Sequence, residues 1–103
     1  MTELRSLHLA HLNKRRPVLL LTRSWAVQHL NAVVVAPIGT TVRGLATEVR
    51  VGAANGLDHD SVVNVDSTSR VLRAHLGPPI GFLLAGQEAE LAAAIIAAFD
   101  LQI

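Results

Sequence analysis

Two short stretches hold the residue types best suited to chemistry. Arg15-Arg16-Pro17 opens one apolar run, and Pro37-Ile38-Gly39-Thr40-Thr41-Val42-Arg43-Gly44 closes the next. If the two runs are antiparallel neighbours, the start of the first lies beside the end of the second, and a guanidinium faces a hydroxyl-rich loop. That arrangement suits the splitting of a phosphodiester by its own neighbouring 2′-hydroxyl. Such a reaction needs a cation for the charge that grows on the phosphorane and groups that help to move protons. Arginine makes planar two-point contact with a phosphate, and Thr40 or Thr41 can donate to its non-bridging oxygens. The same residues also fit a plain strand-opening Arg-Pro and a polar hairpin loop, and their types alone do not separate the two readings.

Other chemistries find less support. His8 and His11 stand three apart, which on a helix would make a metal pair, but Leu4, Leu7, Leu9 and Leu12 fit a strand or irregular segment better. No cysteine or third clustered ligand joins them, whereas structural zinc sites take four ligands. Both are read as partly exposed histidines on an edge strand, with no metal and no cofactor expected. Serine, histidine and aspartate all occur, yet no Gly-x-Ser-x-Gly elbow frames a nucleophile. A phosphate-cradling Gly-x-x-x-x-Gly-Lys loop is missing too.

The elements that must position these residues follow from periodicity. Pro17–Thr22 and Asn31–Ile38 are continuous apolar runs, as expected of strands covered on both faces. Between them Ser24 can cap a short helix through Leu30. Thr47–Val51 alternates polar and apolar, the mark of a strand with one wet face. Gly52–Asp60 is rich in turn formers and reads as loop. Ser61–Asp66 and Ile80–Leu84 are two further strands, the second preceded by a basic stretch at Arg70–His75 and by Gly77-Pro78-Pro79. Glu88–Phe99 repeats Leu91, Ile95, Ala98 and Phe99 at helical spacing, with Gly86 as a tolerated cap and Glu88 at the favourable end of the dipole. Short strands closed by one helix suggest a small antiparallel barrel.

Bulk properties narrow the class. A chain of 103 residues suits one domain spanning 1–103. Half of it is hydrophobic and 17% charged, with mean hydropathy +0.40, which leaves apolar surface to cover a partner. The absence of cysteine fits a reducing cytoplasm. Met1–Leu12 mixes Glu3, Arg5, His8 and His11 into its apolar residues, unlike a signal peptide, and no run reaches the roughly 20 apolar residues of a membrane span. Net charge is only +1, so binding to a nucleic acid must come from local clusters: Lys14, Arg15 and Arg16, then Arg23, then Arg43 and Arg50. Aromatic stacking partners are few. Phe82 and Phe99 read as core, and Trp25 as packed or lining a groove.

Order and spacing carry a further signal. Arg-Pro-Val-Leu-Leu-Leu-Thr-Arg at 16–23, Val-Val-Val-Ala-Pro-Ile at 33–38, Thr-Val-Arg-Gly-Leu-Ala-Thr-Glu-Val at 41–49, and Asn55-Gly56-Leu57-Asp58 with Ser61-Val62-Val63-Asn64 resemble the MazF/PemK toxin family, mycobacterial-type branch. The likeness runs from about Leu4 to Leu101. It implies an SH3-like antiparallel barrel with helical additions, closed by a C-terminal α-helix. It also implies a cytoplasmic, metal-independent endoribonuclease that cuts single-stranded RNA to a 2′,3′-cyclic phosphate and a 5′-hydroxyl. Implied partners are a second copy, in a homodimer, and a cognate antitoxin with a flexible, acidic C-terminal segment. The family's catalytic arginine falls on Arg16. Its catalytic threonine position is Gly39 here, with Thr40 and Thr41 following. Asp66 keeps an acidic position, Ser67 replaces an amide residue, and Arg70 replaces a small hydroxyl residue. With Lys14, Arg15, Gly39 and Arg43 these form the expected RNA-binding set. Gly39 leaves two readings open, an active nuclease and a toxin-fold binding module of weakened catalysis that pairs with an antitoxin or a related toxin. A gyrase-poisoning mode is disfavoured, because Ile103 ends the chain without an aromatic tail.

Overall fold

The computed structural model describes residues 4–103; Glu3, part of the stretch read as no signal peptide, lies outside them. Seven strands run β1 (Ser6–His11), β2 (Arg15–Leu20), β3 (Ala32–Gly39), β4 (Glu48–Val51), β5 (Ser61–Asn64), β6 (Ser69–Leu72) and β7 (Leu76–Phe82). Helix α1 (Ser24–Val27) links β2 to β3, and α2 (Ala85–Phe99) closes the chain. The strands form one curled antiparallel sheet in the order β4-β5-β3-β2-β1-β7, with β6 also pairing to β3. The expected mainly-β architecture with a closing helix is what the chain adopts.

Both faces of the central strands are covered, which is why β2 and β3 read as unbroken apolar runs. On one face Leu7, Leu19, Ala36, Ile38 and Val63 pack under Leu91 and Ala94 of α2. On the other Val18, Leu20, Val33, Val35 and Val71 form a smaller cluster, with Val27 of α1 and Leu76 against it.

β5 and β6 are in effect one strand with an interruption. β3 has two residues, Ala36 and Pro37, between its pairings Ile38↔Val63 and Val35↔Ser69, where the partner has five, 64–68. A 3-10 turn at Val65–Ser67 takes up the excess, and Asn64 anchors it by accepting the Asp66 N–H at 3.0 Å. The turn pushes Asp66 and Ser67 out of the sheet.

Several local expectations change. β6 arises from part of the basic stretch, because Val71 alone faces the second cluster while Ser69, Arg70 and Leu72 stay exposed. β7 begins at Leu76 and includes Pro78-Pro79; it ends the strand path beyond β1, where missing N–H donors are tolerated. α1 has only four residues, with Arg23 and not Ser24 at its cap position. α2 starts at Ala85, and its cap is Leu84, whose N–H is accepted by Gln87 Oε1 at 2.9 Å. β1 lies between β2 and β7 and is not an edge strand. His8 on it is buried, its ring held between Ser6 Oγ and the Gly77 carbonyl, each at 2.7 Å. Phe82 and Phe99, read as core, are exposed at the ends of β7 and α2.

A polar clasp joins the loop after β4 to β7 and α2. Buried Asn55 donates to the Phe82 carbonyl (2.9 Å) and to Gln87 Oε1 (2.7 Å), and accepts the Gly52 N–H (3.0 Å). Gly56, at φ +87°, and Gly81 pass each other so closely that a Cβ on Gly81 would run into the Asn55 carbonyl. The loop between β3 and β4 is latched by Glu48, whose carboxylate accepts the N–H groups of Gly44 (2.8 Å), Leu45 (3.1 Å) and Arg43 (3.2 Å). Burial alone would push the Glu48 pKa up. The N–H donors of Leu45, Arg43 and Gly44, with the Arg43 charge, more than offset it and hold the carboxyl below its ordinary value.

Gly81→Ala is expected to cost about 1–3 kcal/mol by overpacking, read as a lower urea midpoint at unchanged slope. Gly39→Ala, where a Cβ meets open space, should stay within about 0.5 kcal/mol of the parent. The Glu48 latch adds to stability above the unfolded glutamate pKa of about 4.3 and loses that contribution as pH falls through the lower folded value. The amide resonances of Arg43, Gly44 and Leu45 should therefore move together on acidification, and Glu48→Gln should reproduce much of that change at neutral pH.

Candidate functional site

Arg16 is the second residue of β2, paired with Ala10 of β1. Pro17 follows it, and the clash of a proline ring with the preceding residue keeps that residue extended. The β2–β3 register sets Val18 against Pro37. Continued by two residues, it points Arg16 toward Gly39, the last residue of β3. By strand alternation both belong to the face of Val18, Leu20, Val33 and Val35, at the end of the sheet where that cluster stops. Arg16 is exposed and enters no hydrogen bond or ion pair among the described residues; the ion pair there is Arg5 with Glu88 at 2.8 Å. Its guanidinium is free to meet an anion from solvent.

Gly39 is exposed, pairs with Val62 and has no positive φ. A larger residue would fit there without backbone strain. Thr40 and Thr41 continue the chain into the Glu48-latched loop, both exposed and with hydroxyls unbound by described residues. Arg43 sits in the latch itself, its N–H on the Glu48 carboxylate. At the loop's far end Thr47 Oγ1 donates to Asp66 Oδ2 at 2.6 Å, and the Val65 N–H reaches the Thr47 carbonyl at 3.0 Å. Ser67 is exposed beside Asp66 on the same turn. One connected rim therefore runs from Arg16 through Gly39, Thr40, Thr41 and Arg43 to Asp66 and Ser67.

Lys14 and Arg15 stand at the same end of the sheet, exposed at the β1–β2 turn. Alternation sends the Arg15 side chain to the opposite face from Arg16. Arg70 is not brought to the rim. It pairs with Val34, five residues before Gly39 on β3, which is about 17 Å along a strand and on the other face. Trp25, read as packed or groove-lining, is 68% exposed, with the Arg23 guanidinium 4.5 Å from the centre of its ring. Nothing in local periodicity foretells that exposure, since it follows from α1 being a single turn.

The rim offers an unpaired guanidinium, free hydroxyls and an open approach for a phosphate, with hydrogen-bonding side chains farther along. Among the described residues no group of three or more His, Asp or Glu is placed to hold a metal ion.

Comparison with known proteins agrees with this architecture. Residues 4–99 match the family model described as PemK-like, MazF-like toxin of type II toxin-antitoxin system. The chain is 57% identical over 98 residues, 95% of either sequence, to the protein named Endoribonuclease MazF3 of Mycobacterium tuberculosis. The solved Mycobacterium tuberculosis toxin MazF-mt6 superposes with a TM-score of 0.93 at 56% identity, covering 96% of this chain and 100% of that one. A mycobacterial endoribonuclease solved in complex with its cognate antitoxin shares the fold, with a TM-score of 0.85 at 23% identity over 99% of each chain. The chain therefore belongs to the PemK-like, MazF-like toxins of type II toxin–antitoxin systems.

Proposed function

We propose that this toxin is a metal-independent endoribonuclease of the cytoplasm that cuts single-stranded messenger RNA at short sequence motifs and so arrests translation and growth. The free, solvent-facing guanidinium of Arg16, held at the β2–β3 corner, carries this reading. The RNA 2′-oxygen attacks phosphorus, the bond to the 5′-oxygen breaks, and the products are a 2′,3′-cyclic phosphate and a 5′-hydroxyl. Arg16 binds the non-bridging oxygens as their charge grows, and a preorganised charge of this kind is a large contributor to such catalysis. Thr40 and Thr41 supply the hydroxyls that Gly39 cannot, while Arg43, Asp66 and Ser67 lie where neighbouring nucleotides would pass. Lys14 and Arg15 add positive potential at the entrance.

The partners in this reading are a second copy and a cognate antitoxin. Val34 and Leu72 are exposed diagonal neighbours on one face, beside an edge of β6 that no described strand pairs; such a patch favours a homodimer. An acidic, flexible antitoxin segment suits the uncovered cationic rim, and the related complexes with antitoxin support that pairing. Gly39 favours a second reading, a binding module with weakened catalysis.

Long single-stranded RNA incubated with the protein in EDTA should yield discrete fragments ending in cyclic phosphate. Arg16→Ala should slow cleavage at least about 100-fold, the scale for losing one transition-state donor, with an unchanged melting temperature. Gly39→Thr should alter the rate by less than about tenfold if Thr40 or Thr41 already serves. RNA left intact by the wild type but cut by Gly39→Thr would establish the binding-module reading, and RNA left intact by both would overturn the nuclease assignment.

A further inference from the structure

The charge of this chain is strongly divided along its length. From Leu4 to Thr47 it contains no acidic residue and six cations, Arg5, Lys14, Arg15, Arg16, Arg23 and Arg43, whereas seven of its eight acidic residues follow from Glu48 onward. The acid-free stretch builds β1, β2, β3 and α1, with Arg16 at the start of β2 and Arg23 just beyond its end. α1 also packs, through Val27, on the face of the sheet to which Arg16 and Gly39 belong.

On α1 stands the chain's only tryptophan. Trp25 forms a wall between two hollows, one of about 590 Å³ that also includes Gln28 and Arg73, and one of about 700 Å³ that also includes Arg23 and Phe82. The Arg23 guanidinium lies against one face of the indole. The Arg73 guanidinium is fixed nearby by donating to the Val27 carbonyl (3.2 Å) and the Gln28 carbonyl (2.6 Å). A large aromatic ring held in water by a cation on one face, with arginines around it and the one carboxylate of its hollows, Glu88, paired to Arg5 at 2.8 Å, has the composition of a stacking platform for single-stranded nucleic acid. Burying a base against the indole would remove the exposed apolar area, and Arg23 and Arg73 would meet the flanking phosphates.

We propose that Trp25, with Arg23 and Arg73, is a second RNA-binding site that stacks a nucleobase of the same strand whose phosphate is at Arg16; this rests on the ribonuclease reading above. β2 separates the two places by about 20 Å, the length of a six-residue strand. Short RNA therefore fills only the Arg16 rim, while longer RNA engages both. The site contributes affinity and a preference for extended single strands, and little sequence choice, because every base has a face to stack.

The single tryptophan reports directly. With wild-type protein and labelled RNA carrying a 2′-deoxy sugar at the scissile position, which cannot cyclise, an oligonucleotide of about 16 nucleotides should bind by anisotropy and quench Trp25 emission, whereas one of about 4 nucleotides should bind without quenching. Trp25→Ala should weaken the longer RNA by roughly 5- to 150-fold, the range for losing one stacked base, leave the shorter one unchanged, and be largely rescued by Trp25→Phe. Longer RNA that binds with full affinity to Trp25→Ala, or without quenching, overturns the second site and leaves the nuclease reading intact. Failure of both RNAs to bind the wild-type protein overturns both. Trp25 emission that changes on dilution without RNA, together with a smaller sedimenting species for Trp25→Ala, would make this face a contact between copies and equally overturn the proposal.

Discussion

The antiparallel pairing of β2 with β3 is the constraint on which the site depends. Val18 against Pro37 fixes the register, and from that one pairing follows the approach of Arg16 to Gly39. A slip by one residue would send Arg16 to the α2 face and bury Val18 and Leu20 on the wrong side. The register is protected by cores on both faces, Leu19 and Ala36 under α2 on one and Val18 and Val35 on the other. Pro17 adds to this by holding Arg16 extended, so that the guanidinium leaves the sheet at a set angle while remaining unpaired.

Around that corner the chain is arranged so that polar loops are tied by their own side chains. Glu48 gathers three N–H groups of the threonine-bearing loop, and Thr47 links the loop to the Asp66 turn. The turn exists because β5 and β6 together hold three residues more than β3 can pair. Loop order and hydroxyl placement therefore depend on one carboxylate and one strand irregularity, neither of which touches the reacting position. The first 47 residues contain no acidic residue except Glu3, and the two carboxylates at the rim, Glu48 and Asp66, are engaged with the N–H groups of the loop and with Thr47.

Much of this was legible in the residues themselves. The apolar runs of β2 and β3, the alternation of β4 and the helical spacing of α2 each recorded which faces are covered. The juxtaposition of Arg16 with the Pro37–Gly44 segment followed from antiparallel adjacency alone. β6 was not legible, because Val71 is its single buried residue and its neighbours are exposed. β7 hid behind Pro78-Pro79, which become compatible with a strand only once its terminal place in the strand path is known. Trp25, Phe82 and Phe99 resemble core residues in type, and only element ends decide that they face water. The distance of Arg70 from Arg16 likewise depends on the register shift between β5 and β6, a long-range property with no local mark.

The most direct test of the Arg16 site is a co-crystal structure with an RNA oligonucleotide carrying a 2′-deoxy sugar at the scissile position, which binds but cannot cyclise. The Arg16 guanidinium should lie within about 3 Å of both non-bridging oxygens of that phosphate, in two-point contact. A scissile phosphate seated elsewhere, with Arg16 still pointing into solvent, would contradict the assignment.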